Sequence, residues 1–449
     1  MLDPLYTAEE LRAVEARYPG FPDTAPELMD RAGRAVATEV ATRYSDAHFV
    51  VAVCGKGSNG GDGRIAAEIL QGLGRETVVV EPGGVLGPCD LVIDALFGTG
   101  FEGAPRAEAA ALIEAINGAG VPVVSVDIPS GVDASTGEVS GAAVDADLTV
   151  TFHAPKVGLH VAPGRFHAGA IVVADIGLEH ADTAHRLAGP DVLAHVPRRS
   201  AGDNKYTAGS VLVVGGAPGT SGAVCLTAAA ALRADAGYVT ICAPKEILPI
   251  VEAHLLEPVK RPLEEAFEAA ERAKALAVGP GLGRERKELV RRLLAEVDLP
   301  AVVDADALFE LEPAERAAPT VLTPHEGELA RLLDRDSKWV AGHRLEAARG
   351  AVERFGCVVL LKGSETIVAS PDGPTLITSL STPSLATAGT GDVLTGILGA
   401  FLAKGMAAPL AAAAAAVAQN VAAALGPQVG LVAHDVVDRL PRALEAGTS

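Results

Sequence analysis

The sequence predicts an α/β protein in two domains, each built on a mostly parallel sheet with helices on its faces. Short apolar runs of strand length alternate with helical stretches along most of the chain, the pattern of parallel α/β architecture. Many of these runs end in glycine-rich or polar segments, and open parallel sheets gather their ligands at strand ends of that kind. The alternation lapses around 189–203 and then restarts, and 449 residues are more than one domain usually needs. The expected boundaries are 1–196 for the first domain, 197–203 for a linker and 204–449 for the second.

Hydrophobic residues make up 49% of the chain and aromatics only 4%, so sizeable cores must be filled by Ala, Val and Leu. The 37 basic and 57 acidic residues leave a formal net charge of −20, which disfavours nucleic acid or an anionic membrane as partner. Five cysteines (Cys54, Cys89, Cys225, Cys242, Cys357) form no Cys-x-x-Cys pair. That usage fits a reducing cytoplasm and argues against a disulfide framework or a structural zinc site. The first ten residues are acidic in part and contain no apolar signal segment. The Ala-rich run 407–425, interrupted by Gln419 and Asn420, reads as a buried helix rather than a membrane span. Assembly of identical copies is expected.

Helical periodicity covers 8–16 and 27–42, with Glu9 and Glu10 suited to a helix start. His48 to Cys54 reads as a buried strand. It runs into Gly55-Lys56-Gly57-Ser58-Asn59-Gly60-Gly61-Asp62-Gly63, after which a helix is expected from Arg64 to Leu70. Strand, glycine-rich loop and helix in that order form a phosphate-binding unit of α/β folds, although this spacing is neither a dinucleotide fingerprint nor a Walker A loop. Strands follow at 77–80, 91–93, 121–126, 148–152 and 171–173, with a helix over 108–117. Behind them stand Asp94 with Phe97-Gly98-Thr99-Gly100, then Asp127-Ile128-Pro129-Ser130-Gly131-Val132-Asp133, then His153-Ala154-Pro155-Lys156. So many such groups just after strands point to a shared site rather than to turn chemistry alone.

The second half restarts with Gly209 to Gly216 and an Ala-rich helix ending near Ala236. Strands are expected at 238–242, 275–278, 301–303, 321–322, 358–361 and 366–368. Their ends carry Gly279-Pro280-Gly281-Leu282-Gly283, Asp304-Ala305-Asp306, Thr323-Pro324-His325-Glu326-Gly327-Glu328 and Lys362-Gly363. Leu385 to Asp392 then lies between a Pro/Ser/Thr-rich loop and the apolar periodic run Val393, Leu394, Ile397, Leu398, Phe401, Leu402, which makes it a loop feeding a helix. Its glycines let backbone approach a ligand, free N–H groups at a helix start attract phosphate, and Asp392 in the first turn can serve as a base. The same residues also read as an ordinary helix start with Asp392 as a cap, and this stretch alone leaves both readings open.

In order and spacing, Gly279 to Gly283, Thr323 to Glu328, Lys362-Gly363-Ser364-Glu365-Thr366 and Ala388 to Asp392 resemble the ADP/ATP-dependent NAD(P)H-hydrate dehydratases, relatives of the ribokinase-like kinases. Gly57 to Gly63, Asp94 to Gly100 and Asp127 to Asp133 resemble the NAD(P)H-hydrate epimerases. Fused in this order, covering nearly the whole chain, the two halves resemble the bifunctional NAD(P)H-hydrate repair enzymes of bacteria. The resemblance implies a Rossmann-like N-terminal domain and a ribokinase-like C-terminal domain. Ser58 stands where that family usually has Asn, and Asn204 stands where the dehydratases often have His before Lys205.

The implied activity restores NADH or NADPH from the C6-hydrated forms. The epimerase half would interconvert the R and S hydrates; the dehydratase half would phosphorylate the S hydrate from ADP or ATP and expel phosphate. The resemblance makes Asp127 the acid/base group of the epimerase with Lys156 as partner. It gives the hydrate Ser58, Asn59, Gly60, Gly61 and Asp62, with Gly98, Thr99, Gly100, Phe101, Glu102, Gly103, Ala104 and Asp127. It assigns K⁺ to Asn59, Asp94 and Ser130. In the dehydratase half, Asp392 would be the base, with Ala223, Gly281 and His325 also holding the hydrate. Lys362, Gly363, Ser364, Glu365, Thr366, Gly389, Thr390 and Gly391 would bind the nucleotide, with Mg²⁺ bridging its phosphates. His325 and Lys362 also read as a helix cap and a surface lysine, and Asp304 and Asp306 as caps, magnesium ligands or substrate contacts. Two other functions compete: a kinase that keeps its phosphorylated product, and a non-catalytic N-terminal module.

Overall fold

The computed structural model describes residues 2–379 and 381–446; position 1, Leu380 and 447–449, which the expected domain ranges include, lie outside that description. The chain forms two compact units, Pro4–His185 and Arg186–Ser449 together with Met1–Asp3. Residues 186–203 therefore belong to the second unit instead of ending the first and linking the two. The reason is apolar: Ala188, Val192, Leu193 and Val196 are buried in the second unit's core, from the strand His185–Ala188 and the 3-10 turn Pro190–His195.

The first strand is β1 (Asp3–Leu5). The N-terminal unit holds β2 (Phe49–Cys54), β3 (Glu76–Val80), β4 (Leu91–Ala95), β5 (Val123–Val126), β6 (Leu148–Phe152) and β7 (Ala170–Ala174). Their order is β3-β2-β4-β5-β6-β7, with every neighbouring pair parallel. The strands read as near-continuous apolar runs because both faces are covered. In β2, Val50, Ala52 and Cys54 face one core and Val51 and Val53 the other. Chain order reverses between β2 and β4, so the crevice for a ligand opens at their carboxyl ends.

The glycine-rich segment behind β2 is not the loop expected from sequence. Ser58–Gly72 is helical throughout, and Ser58 to Gly63 form its first turns. Gly57, Gly60, Gly61 and Gly63 have no positive φ. Close packing demands them instead: a Cβ on Gly60 would lie 2.0 Å from the Gly55 carbonyl oxygen, and one on Gly63 would lie 2.5 Å from the Ala95 Cβ. A Cβ on Gly61 would lie 2.5 Å from the Met29 sulfur. Glycine here brings a helix start down onto the strand ends.

The C-terminal unit adds β8 (His185–Ala188), β9 (Ser210–Val214), β10 (Tyr238–Ala243), β11 (Val259–Pro262), β12 (Ala275–Val278), β13 (Ala301–Val303), β14 (Thr320–Leu322), β15 (Val358–Leu361), β16 (Ile367–Ala369) and β17 (Thr375–Thr378). They lie in an eleven-stranded sheet, order β1-β8-β17-β16-β15-β14-β13-β12-β9-β10-β11. From β15 to β11 every neighbouring pair is parallel, whereas β16 pairs antiparallel with β15 and β17. Chain order reverses between β9 and β12, a second ligand crevice. The Ala-rich stretch is the buried helix Ala408–Ala424. Small residues let helices nearly touch: a Cβ on Gly396 would lie 2.1 Å from the Thr227 carbonyl oxygen. Among the described residues, no helix is long and apolar enough to cross a membrane.

Candidate active sites

In the N-terminal unit, Asp94 lies one residue before the end of β4, fully buried. Its Oδ2 accepts from the Ser125 hydroxyl at 2.8 Å and the Ser130 amide at 2.9 Å, and its Oδ1 accepts from the Ser130 hydroxyl at 2.6 Å. The Phe97 amide donates to Ser130 Oγ at 2.9 Å, and Asn59 Nδ2 donates to the Phe97 carbonyl at 2.8 Å. Asn59, Asp94 and Ser130 are thus brought together through the Phe97 backbone. Burial pushes the Asp94 carboxyl up, opposed by its hydrogen bonds to Ser130, Ser125 and Leu96. Gly98 keeps space clear beside Asn59: a Cβ there would lie 3.2 Å from Asn59 Oδ1. One carboxylate among neutral oxygens, with that gap, fits a hard monovalent cation.

The next two strands end alike. Asp127 after β5 has φ 68° and His153 after β6 has φ 67°. Each sits in a three-residue turn, closed by Ile128 N donating to the Val126 carbonyl and Ala154 N to the Phe152 carbonyl, both at 2.8 Å. Non-glycine residues rarely hold this γ-turn, which is strained. It aims Asp127 at Lys156, a fully buried lysine whose ammonium donates to Asp127 Oδ1, to Thr151 Oγ1 at 2.8 Å and to the Phe152 carbonyl at 2.9 Å. All three ammonium protons are thereby used. Burial first, then the charges of Asp127 and Glu15, push the Asp62 carboxyl up to about 8. Burial and Asp127 raise Glu15 as well. This end of the sheet therefore sets the Asp127–Lys156 ion pair beside a carboxyl, Asp62, that burial and its neighbours raise to about 8, a pairing suited to acid–base chemistry.

In the C-terminal unit, the parallel strands β9, β12, β13, β14 and β15 present their carboxyl ends at one edge. Asp304 follows β13, 1% exposed; its Oδ1 accepts from Lys362 Nζ at 2.7 Å and its Oδ2 from the Thr395 hydroxyl at 2.7 Å. Glu328 Oε2 stands 3.8 Å from the same ammonium. Burial pushes Lys362 down, but Asp304 and Glu328 outweigh it and raise it overall. Gly389 has φ 89° and starts the helix Thr390–Ala403, with Asp392 in its first turn. A Cβ on Gly391 would lie 3.5 Å from Lys362 Nζ. The helix start and the lysine thus face one another. Burial first, then Asp304, push the Asp392 carboxyl up to about 7, against the pull of Lys362.

The other expected residues divide. Ala223 and Gly281 adjoin, since a Cβ on Gly281 would lie 3.1 Å from that of Ala223. His325 is a helix cap, as its alternative reading held: its Nδ1 accepts from the Gly327 amide at 3.0 Å, and its side chain is 56% exposed. Lys362 is no ordinary surface lysine. Glu365 is fully buried and ion-paired to Arg344, and Thr366 is buried with its amide donating to Thr378 Oγ1 at 3.0 Å. Of the segment 362–366, Lys362, Gly363 and Ser364 are the residues left at least partly accessible. Sequence reasoning did not single out Glu15, Thr151, Thr395 or Arg344. Only Glu328, inside the quoted Thr323–Glu328 motif, carried a signal.

The family described as NAD(P)H-hydrate dehydratase matches residues 211–442, and the family described as YjeF-related protein N-terminus matches 25–87 and 78–158. The bifunctional NAD(P)H-hydrate repair enzyme of Moorella thermoacetica is 37% identical, covering 93% of this chain and 92% of its own. The enzyme of the same name from Escherichia coli is 34% identical, covering 93% and 89%. Among solved structures, the ADP/ATP-dependent NAD(P)H-hydrate dehydratase of Bacillus subtilis, co-crystallised with ATP and Mg²⁺, matches with a TM-score of 0.53 and 29% identity over 57% of this chain and 96% of that one. Both halves of the expected fusion are matched in order, and this chain belongs to the family of bifunctional NAD(P)H-hydrate repair enzymes.

Proposed function

We propose that the chain restores NADH and NADPH from their hydrates with two separate active sites. The N-terminal site exchanges the R and S configurations at C6, and the C-terminal site dehydrates the S form at the expense of ADP or ATP. The observation that carries this reading is the Asp392 carboxyl, half-buried beside Lys362 at a glycine-led helix start and poised near neutral pH.

In the C-terminal site Asp392 takes the proton of the C6 hydroxyl as its oxygen attacks the terminal phosphorus of the nucleotide. The helix-start amides around Gly389, Thr390 and Gly391 and the Lys362 ammonium hold the phosphoryl oxygens. The C6–O bond of the phosphate ester then breaks, pushed by the ring nitrogen's lone pair, and loss of a C5 proton restores the dihydronicotinamide. ADP or ATP leaves as AMP or ADP, with free phosphate. When bound, Mg²⁺ would neutralise phosphate charge; no cluster of three acidic, His or Cys ligands is present among the described residues, which suits an ion held mainly by the nucleotide and water.

In the N-terminal site Asp127, fixed by Lys156, is the base and Asp62 the proton donor, acting on the C6 hydroxyl and the bond that must open for inversion. Asn59, Asp94 and Ser130 would hold K⁺, whose charge would order the substrate loop around Gly98. The two activities are proposed to reside one in each compact unit, epimerisation in Pro4–His185 and dehydration in the unit that begins at Arg186.

The test is an assay on mixed R and S NADPH hydrate with ADP or ATP, following regained NADPH absorbance and free phosphate. Wild type should restore both forms, Asp392→Ala neither, and Asp127→Ala only the S fraction at full rate. A stable phosphorylated product in place of free phosphate would instead indicate a kinase.

A further inference from the structure

We propose that Arg344 is a positioning residue that fixes the nucleotide-phosphate turn Lys362–Glu365 against the start of the His325 helix. The inference rests on the reading of that turn as the phosphate site. Arg344 is 1% exposed and follows His343 into the helix Arg344–Phe355. No motif marks it. Its guanidinium spends its donors on two separate elements. Nε pairs with Glu365 Oε1, and Nη2 donates to the Glu365 carbonyl at 2.9 Å and the Lys362 carbonyl at 3.4 Å. Nη1 pairs with Glu326 Oε1, the residue after His325.

This geometry accounts for two facts at once. Glu365 belongs to the phosphate-site segment yet is fully buried, because it anchors the guanidinium. Gly363 has no positive φ, so backbone conformation does not demand glycine there. The guanidinium does: a Cβ on Gly363 would lie 2.3 Å from Arg344 Nη2 and 2.6 Å from Nη1. A planar fork bonded along both edges cannot yield to it cheaply, and lysine, with a single ammonium, cannot replace it. The turn that presents Lys362, Gly363 and Ser364 thus lies directly on the guanidinium, which is held from the other side by Glu326. Preorganisation of this kind is felt as affinity for the ligand that the turn contacts.

The experiment uses the full chain with Glu326→Gln, Gly363→Ala and Arg344→Lys, and Lys362→Met as reference. ADP affinity is measured by calorimetry, and KM for nucleotide, KM for the S hydrate and kcat by steady-state kinetics. R-to-S exchange reports the N-terminal half, and the calorimetric melting temperature reports that the half carrying the variants is folded. Each of the three variants should weaken ADP binding by about threefold to thirtyfold, the scale of a lost or bent charge-assisted contact. KM for the hydrate should move less than about twofold by the same measure. ADP affinity unchanged in Gly363→Ala and Glu326→Gln, while Lys362→Met loses it, would overturn the role of Arg344 alone. Unchanged affinity in Lys362→Met as well would overturn the phosphate-site reading beneath it. A lowered melting temperature in Arg344→Lys with nucleotide KM unmoved would make Arg344 merely structural and also overturn the proposal.

Discussion

The pH dependence of dehydration follows from where Asp392 sits. Burial and the Asp304 carboxylate raise its carboxyl from an ordinary value of 3.8 to about 7, against Lys362. The shift of about three units is ~4 kcal/mol of penalty on the charged form. The base must be deprotonated to accept the hydroxyl proton, so activity is lost as pH falls through about 7. At pH 6, about a tenth of the enzyme would carry the carboxylate, and at pH 5 about a hundredth. The assay is kcat/KM for dehydration of the S hydrate with ADP or ATP, from pH 5.5 to 8.5, which reports groups of the free enzyme and free nucleotide. The nucleotide's terminal phosphate ionises in a similar range, so a second variant decides which group is seen. Asp304→Asn keeps the shape of the Lys362 and Thr395 partner but removes the second-largest cause of the shift. It should move the limb down by about one pH unit, an effect open to a limb owned by Asp392 and not to one owned by free nucleotide. Asp392→Asn should lower kcat/KM by about 10²–10⁴-fold at every pH. A flat wild-type profile down to pH 5.5, or a limb unmoved by Asp304→Asn, would refute the reasoning.

Three further outcomes are expected. Lys156→Met leaves the buried Asp127 carboxylate unpaired at a cost of about 3–5 kcal/mol, so R-to-S exchange should vanish and the calorimetric melting temperature should drop, while S-hydrate dehydration persists. Because the Asp62 carboxyl is raised to about 8, the stability it contributes below the unfolded value of 3.8 is lost as pH rises to about 8. Between pH 6 and 8 that loss is about 2 kcal/mol, and Asp62→Asn, which cannot ionise, should keep its melting temperature over this window, read by calorimetry, where wild type declines. Gly60→Ala drives a Cβ to within 2.0 Å of the Gly55 carbonyl oxygen, so exchange should be lost with about 1–3 kcal/mol of stability, read as a lowered calorimetric melting temperature; retained exchange would mean that the helix start has room to shift.

Strand identity was legible because buried parallel strands read as apolar runs and because chemistry stands at their carboxyl ends. The strands β1, β8, β11 and β17 escaped for physical reasons: β1 has three residues, one of them proline. The sequence of β11 is Val-Lys-Arg-Pro, acceptable only at a sheet edge, and β8 begins with His-Arg. The segment of β17 pairs antiparallel with β16 only once the chain has folded back on itself. Likewise Asp127 was legible as a polar group after a strand. Its partner Lys156 came with the family resemblance; that the ammonium is buried and bonded also to Thr151 and the Phe152 carbonyl needed the turn at Asp127 to be seen.

The two glycine-rich segments show what a motif does and does not state. Each was read as backbone freed to meet a phosphate. At Gly389 the backbone does take a glycine conformation, since φ is 89°, and a Cβ would also strike the Leu226 side chain at 2.7 Å. At Gly60, Gly61 and Gly63 the backbone is plainly helical, and glycine is needed because strand ends and a neighbouring helix press from outside. At Gly363 the pressure comes from a side chain, the guanidinium of Arg344. A sequence records that a Cβ is excluded without recording by what. Only the surroundings separate a glycine that turns the chain from one that lets something approach, and in the second case the approaching group is itself the candidate. Applied to Gly363, that reasoning turns an unremarked arginine nineteen residues upstream into the residue on which the nucleotide turn rests.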